Sequence, residues 1–312
     1  MKNVLFYRDF RGFTGGHLKV WDYFNHVRHS RQHVPQIYFS KRSRWDASNP
    51  WRNAKPYILE SGSLAKPDLI FLAGMDWLTL TKTERECAPV PIINLIQHVR
   101  HADPENPRYT FLKHKAIRIC VSEEVAQVLR ASRQVEGPLF VIPYGLPSKS
   151  FPQPIPFAQK DLDILIVANK RPKLGRLMRL FLWRPGRRVY LLDKQVLRPI
   201  FLTLLKRAKM TLFLPHAAEG FYLPALEGMA VGTLVLCPDC IGNRSFCQTN
   251  WNSFRPNYNP VAILNAVAKA GRLEASQRET ILTNASQTFA EHNLPKERTA
   301  FLDILENVDQ LW

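Results

Sequence analysis

Short apolar runs recur along this chain, separated by amphipathic or polar stretches. Asn3 to Tyr7, Asp68 to Ala73, Pro91 to Ile96, Ala116 to Val121 and Leu139 to Pro143 read as buried strands. Leu18 to Val27 carries a helical pattern. So does Glu123 to Ala131, which Ser122 can cap and which has acids in its first turn. Alternating strands and helices predict parallel sheets with crossover helices. Pro143 to Pro156 holds five prolines and reads as a linker. Beyond it, Asp163 to Ala168, Val189 to Leu192, Met210 to Leu214 and Thr233 to Cys237 form a second strand series, with a helix over Leu197 to Ala208. The last pattern, Arg298 to Leu311, is an amphipathic helix. The expected architecture is α/β with an N-terminal domain over 1–148, a C-terminal domain over 149–295 and a terminal helix over 296–312. No repeat of fixed period and no low-complexity segment interrupts it.

One segment carries most of the candidate chemistry. Glu219-Gly-Phe-Tyr-Leu-Pro-Ala-Leu-Glu227 places two carboxylates eight residues apart. The first stands in a glycine-containing turn. The second lies inside a helix that Pro224 can open, because a first-turn N–H has no helical partner. Such a turn offers backbone N–H groups and a positive helix end to an anion, with carboxylates on either side to accept hydroxyl hydrogen bonds. An anion flanked by hydroxyls describes a nucleotide diphosphate-sugar.

This segment, with the Gly228 to Asp239 stretch after it, resembles the signature of the retaining glycosyltransferases of family 4, which have the GT-B fold. Val141-Ile-Pro-Tyr-Gly145, Ile119-Cys-Val-Ser-Glu-Glu124 and Leu204 to Pro215 resemble further stretches of that family. The resemblance implies two Rossmann-like domains with parallel sheets facing a central cleft, and a terminal helix packing back on the first domain. It implies a metal-independent, hexosyltransferase-type enzyme that moves a sugar from a nucleotide-sugar donor to an acceptor hydroxyl, with no cofactor. By the same resemblance Glu219 contacts the donor sugar. The backbone of Gly220, Phe221, Tyr222 and Leu223 faces the diphosphate, and Glu227 accepts from the ribose. Lys170, Arg171 and Lys173 follow the first strand of the second domain, where cations can neutralise a diphosphate; Arg176 is a further candidate. Gly15 and Gly16 form the first turn. His98, after the strand ending at Ile96, is the second catalytic candidate, with His101 as fallback. Tyr222 stands where the family has glycine, which is expected to narrow the sugar pocket or alter the phosphate contact. Gly228 stands where it has alanine, which is expected to weaken the helix.

At 312 residues the chain is long enough for two domains. Its net charge of +17 is uneven: residues 160–209 hold fourteen Lys or Arg and three acids, residues 210–312 seven and ten. Partners are therefore expected to be anionic: the donor diphosphate, an acidic acceptor, or a charged membrane surface that the Arg28 to Arg44 stretch could face. No nucleic-acid motif accompanies the charge. Five cysteines without a disulfide framework read as reduced and structural. No apolar run is long enough to span a bilayer, and the first residues read as a strand, not a leader. A cytoplasmic location, with peripheral contact at the inner membrane face, is the expectation. The competing readings are a catalytically idle nucleotide-sugar-binding relative or subunit and, more remotely, a nucleic-acid-binding protein.

Overall fold

The computed structural model describes residues 1–12, 14–60 and 66–312. The chain forms two compact units, one of Met1–Gly145 with Leu294–Trp312, the other of Leu146–Asn293. The first holds strands β1 (Lys2–Arg8), β2 (His33–Phe39), β3 (Ile58–Leu59), β4 (Leu69–Ala73), β5 (Ile92–Ile96), β6 (Ile117–Cys120) and β7 (Leu139–Val141). All pair in parallel in the order β3-β2-β1-β4-β5-β6-β7. Its helices are α1 (Gly15–Arg28), α2 (Lys82–Glu86) and α3 (Glu123–Ser132). The second unit holds β8 (Leu162–Val167), β9 (Val189–Leu192), β10 (Ala208–Phe213) and β11 (Leu234–Leu236), parallel in the order β11-β10-β8-β9. Its helices are α4 (Pro172–Leu182), α5 (Arg198–Arg207), α6 (Leu223–Ala230), α7 (Pro260–Gly271) and α8 (Ala275–Glu291). The last helices, α9 (Leu294–Glu306) and α10 (Val308–Leu311), belong to the first unit.

Local chemistry explains several boundaries. Thr14 caps α1 by accepting from the His17 N–H, and Ser122 caps α3 by accepting from Val125. The terminal helix begins at Leu294, before the Arg298 expected, and breaks at Asn307. There the side-chain amide donates to the Asp303 carbonyl at 2.9 Å and competes with the helical ladder. The apolar pattern does not disclose β2, which contains Pro35. Because β3 pairs only with Ile37 and Tyr38, β2 has a neighbour on one side at Pro35, where a missing N–H is tolerated.

Aromatic rings fill the first core: Phe6 stacks on Phe71 at 4.6 Å, and Phe301 of α9 meets Tyr23 edge-on at 4.7 Å. Beside them lies a buried charge cluster. Lys19 is 0% exposed, and its Nζ reaches Asp22 Oδ2 at 2.8 Å, Glu297 Oε1 at 2.8 Å and the Gly145 carbonyl at 3.0 Å. Glu297 also accepts from the Gly145 N–H at 2.5 Å and pairs with His26 Nε2 at 2.9 Å. α1, α9 and the end of the first long segment are therefore fastened at one point.

Candidate functional site

The strand order of the second sheet reverses between β8 and β10, and ligands of open α/β sheets bind beyond the carboxyl ends of strands at such a switch point. The loops leaving these two strands carry Lys170 and Glu219. Lys170 Nζ lies 3.6 Å from Glu219 Oε1, close enough to attract and too far for a tight hydrogen bond. A cation and a carboxylate are thus presented together, each with capacity for another partner.

The Glu219 turn is held from beneath by a short helical turn, Ile241–Asn243. The Ile241 N–H donates to Ala217 O at 3.0 Å and the Tyr222 N–H to Gly242 O at 2.8 Å. A Cβ on Gly242 would stand 2.8 Å from Glu219 O, Phe221 N and Tyr222 N, so only glycine permits this approach. The buried Asn243 side chain fixes the support by donating to Cys237 O at 3.2 Å and Pro238 O at 3.0 Å, and Cys240 caps it. All five cysteines are free, and Cys237, Cys240 and Cys247 are packed in the interior around this support. Gly242→Ala is expected to cost about 1–3 kcal/mol through overpacking. Thermal unfolding checks this: a drop of several degrees is expected, and an unchanged midpoint would refute the packing role.

Two expectations about this segment change. Tyr222 adopts φ −98°, a backbone any residue can take, and its ring is buried edge-on to Phe213 at 6.0 Å. It points inward instead of narrowing a pocket, and its N–H is already committed to Gly242. Gly228, expected only to weaken α6, lets that helix lie against β10: a Cβ there would meet Phe213 Cζ at 3.0 Å and Thr233 Cγ2 at 3.2 Å.

Glu227 lies inside α6, buried, with Oε1 2.9 Å from Arg198 Nη2 at the start of α5. Burial pushes its carboxyl up to about 7, and Arg198 opposes that rise. Arg198 also lies 5.4 Å from the centre of the Phe151 ring. Arg171 precedes α4, with its guanidinium 5.7 Å from the Tyr258 ring, while the Tyr258 hydroxyl donates to Pro215 O. Lys173 is exposed in the first turn of α4. Arg176 is engaged with Asp193 at 3.2 Å.

Gly15, Gly16 and His98 belong to the first unit. A Cβ on Gly16 would meet Gln97 Oε1 at 2.8 Å, and Gln97 Nε2 donates to Gly16 O at 3.3 Å, tying the start of α1 to the end of β5. Gly15 is the first residue of α1. His98 is half-buried, and its Nδ1 accepts from the Arg100 N–H at 3.0 Å. His101 is buried and pushed down to about 3 by desolvation and by Arg108 and Arg100, so it stays neutral. Among the described residues, no group of three or more His, Cys, Asp or Glu is placed to hold a metal ion.

The sequence reading missed Arg198, Gln97 and Gly242. Arg198-Pro199 opens a helix, but nothing local marks it as the partner of a glutamate one strand later. Gly242 follows an apolar strand in a turn where glycine is commonplace.

No family model matches this chain, and no curated protein resembles it in sequence. Solved structures do resemble it. HepE from Anabaena, solved with UDP-glucose, has TM-score 0.75 at 13% identity, covering 98% of this chain and 100% of that one. Sucrose-phosphate synthase from Thermosynechococcus elongatus has TM-score 0.74 at 12% identity over 99% and 100%. The lipopolysaccharide outer core galactosyltransferase WaaB, in its apo form, has TM-score 0.70 at 14% identity over 98% and 99%. At these identities the likeness is one of fold: the chain has the GT-B architecture of these glycosyltransferases.

Proposed function

We propose that the chain is a retaining glycosyltransferase, moving a sugar from a nucleotide diphosphate-sugar to an acceptor hydroxyl. The observation that carries this reading is the Lys170–Glu219 pair at the β8/β10 switch point, in a fold shared with a HepE structure that holds UDP-glucose. In this reading Glu219 accepts from sugar hydroxyls. Lys170, Arg171 and Lys173, with the N-terminus of α6, meet the negative charge on the diphosphate as it departs. The bond from the anomeric carbon to the diphosphate breaks, its electron pair leaving with the nucleotide. The acceptor oxygen bonds that carbon from the same face and passes its proton to the departing diphosphate oxygen. Glu227 accepts from the ribose. Nucleotide release across a panel of nucleotide-sugars and acceptors tests the proposal: turnover with at least one donor is expected, and none with any would overturn it.

The pH dependence follows from Glu227. Its folded-state value lies above the ordinary one, so protonation stabilises the fold and that contribution is lost as pH rises through about 7. Accepting a ribose hydroxyl favours the ionised form. Donor affinity is therefore expected to rise with pH up to about 7, by at most about tenfold per unit, and then level off. Titrating donor between pH 5.5 and 8.5 checks this. The rise should vanish in Glu227→Gln; the same profile in both proteins would contradict the assignment.

A further inference from the structure

The second unit carries a surface that the transferase reading does not use. Of the thirteen exposed large hydrophobics among the described residues, four lie within seven positions: Leu177 (40% exposed), Leu180 (72%), Phe181 (56%) and Trp183 (61%). Leu177, Leu180 and Phe181 stand at i, i+3 and i+4 and share one stripe of α4. Gly175, Met178 and Leu182 occupy the opposite, buried side, against the second core. α4 is therefore apolar on two faces, and only the inner one is covered within its unit.

The flanks of the outer stripe are basic. Arg176, Arg179 and Arg184 are all exposed, and α4 contains no acid. Among the described residues, Arg176 is the one of the three with a carboxylate partner, Asp193. An apolar stripe with an aromatic end and cationic flanks matches the boundary between headgroups and acyl chains of an anionic bilayer. There leucine and phenylalanine enter the apolar layer, tryptophan sits at the interface, and arginines meet phosphates. A second copy of this chain fits less well, because a symmetric contact would bring two sets of arginines together. A nucleic acid would satisfy the cations and leave the leucines in water.

We propose that the outer face of α4, with Trp183 and Arg184, is a docking surface for an anionic lipid membrane. Binding combines insertion of the stripe with phosphate attraction, so it requires negative headgroups and weakens with salt. Each cation contributes about fivefold at low ionic strength.

Cosedimentation of the full chain with vesicles tests this. Vesicles rich in phosphatidylglycerol should pull the protein down, pure phosphatidylcholine should not, and 1 M salt should reverse the binding. Leu180→Glu/Phe181→Glu should lower partitioning by tenfold or more with unchanged thermal unfolding, since both side chains face solvent. Arg179→Ala/Arg184→Ala should lower it about 25-fold at low salt, two cations' worth, and less at high salt. Failure to bind anionic vesicles, or equal binding by the Glu variant, overturns the proposal. It is also overturned if that variant instead abolishes a concentration-dependent dimer in ultracentrifugation, or if the patch binds oligonucleotides but not lipid.

Discussion

Replacing Glu219 by alanine is expected to lower sugar transfer by about 10²–10³-fold while leaving the fold in place. The carboxylate stands at the carboxyl end of β10, 3.6 Å from Lys170. Loss of a preorganised group that holds the reacting sugar typically lowers turnover by about 10²–10³-fold, or roughly 2.7–4 kcal/mol of transition-state stabilisation. The stability effect should be small. Lys170 is nearly half exposed, and ion pairs of that kind contribute at most about 1 kcal/mol. The variant should keep its circular dichroism and unfold within a few degrees of the parent. Full activity in Glu219→Ala would remove this residue from the mechanism.

The second large effect concerns the fold. Lys19→Met is expected to destabilise the first unit by about 3–5 kcal/mol, because Glu297 and Asp22 would keep buried charge without their cation. Glu297→Gln should cost a similar amount, since it also weakens the anchor on Gly145 and His26. Attraction to Glu297 and Asp22 outweighs burial and raises the Lys19 ammonium, so its contribution holds below about 10.5 and is lost above. Lys19 and His26 hold the Glu297 carboxyl below its ordinary value of 4.5, so its contribution is present above that value and fades as pH falls through the folded one. Lys19→Met/Glu297→Leu should recover part of the loss: it removes two charges together but still leaves the Gly145 N–H without its acceptor. Urea unfolding at pH 6, 7 and 8 measures all three. Loss of less than 1 kcal/mol in the single variants would contradict the cluster's structural role.

What the sequence disclosed was local. The strand Leu69–Ala73 is an uninterrupted apolar run, Ile92–Ile96 is broken only by Asn94, and the Glu219 to Asp239 stretch joins turn, helix and strand in one readable segment. What it hid falls into two kinds. In the first, one property masks another. Pro35 obscured β2, and α4 escaped because Leu177, Leu180 and Phe181 fill the side that should have been polar. In the second, the partner is remote. Lys19 and Glu297 are 278 positions apart, and neither carries a local sign of the other. Arg198 beside Glu227 and Gly242 beneath the Glu219 turn are of the same kind. The Tyr222 departure reads as a change to the site and Gly228 as a weakened helix, yet both residues pack against Phe213 behind the loop.

We propose that the turn between β10 and α6, facing the loop after β8, grips the diphosphate of a nucleotide-sugar. Hydrogen exchange of the full chain, with and without UDP-, GDP-, ADP- and dTDP-sugars, tests it most directly. At least one donor should slow exchange in residues 216–223 and 168–174, and Lys170→Ala should diminish that protection. If every donor leaves these amides unchanged, or if a donor binds and protects only other segments, the assignment of this site is wrong.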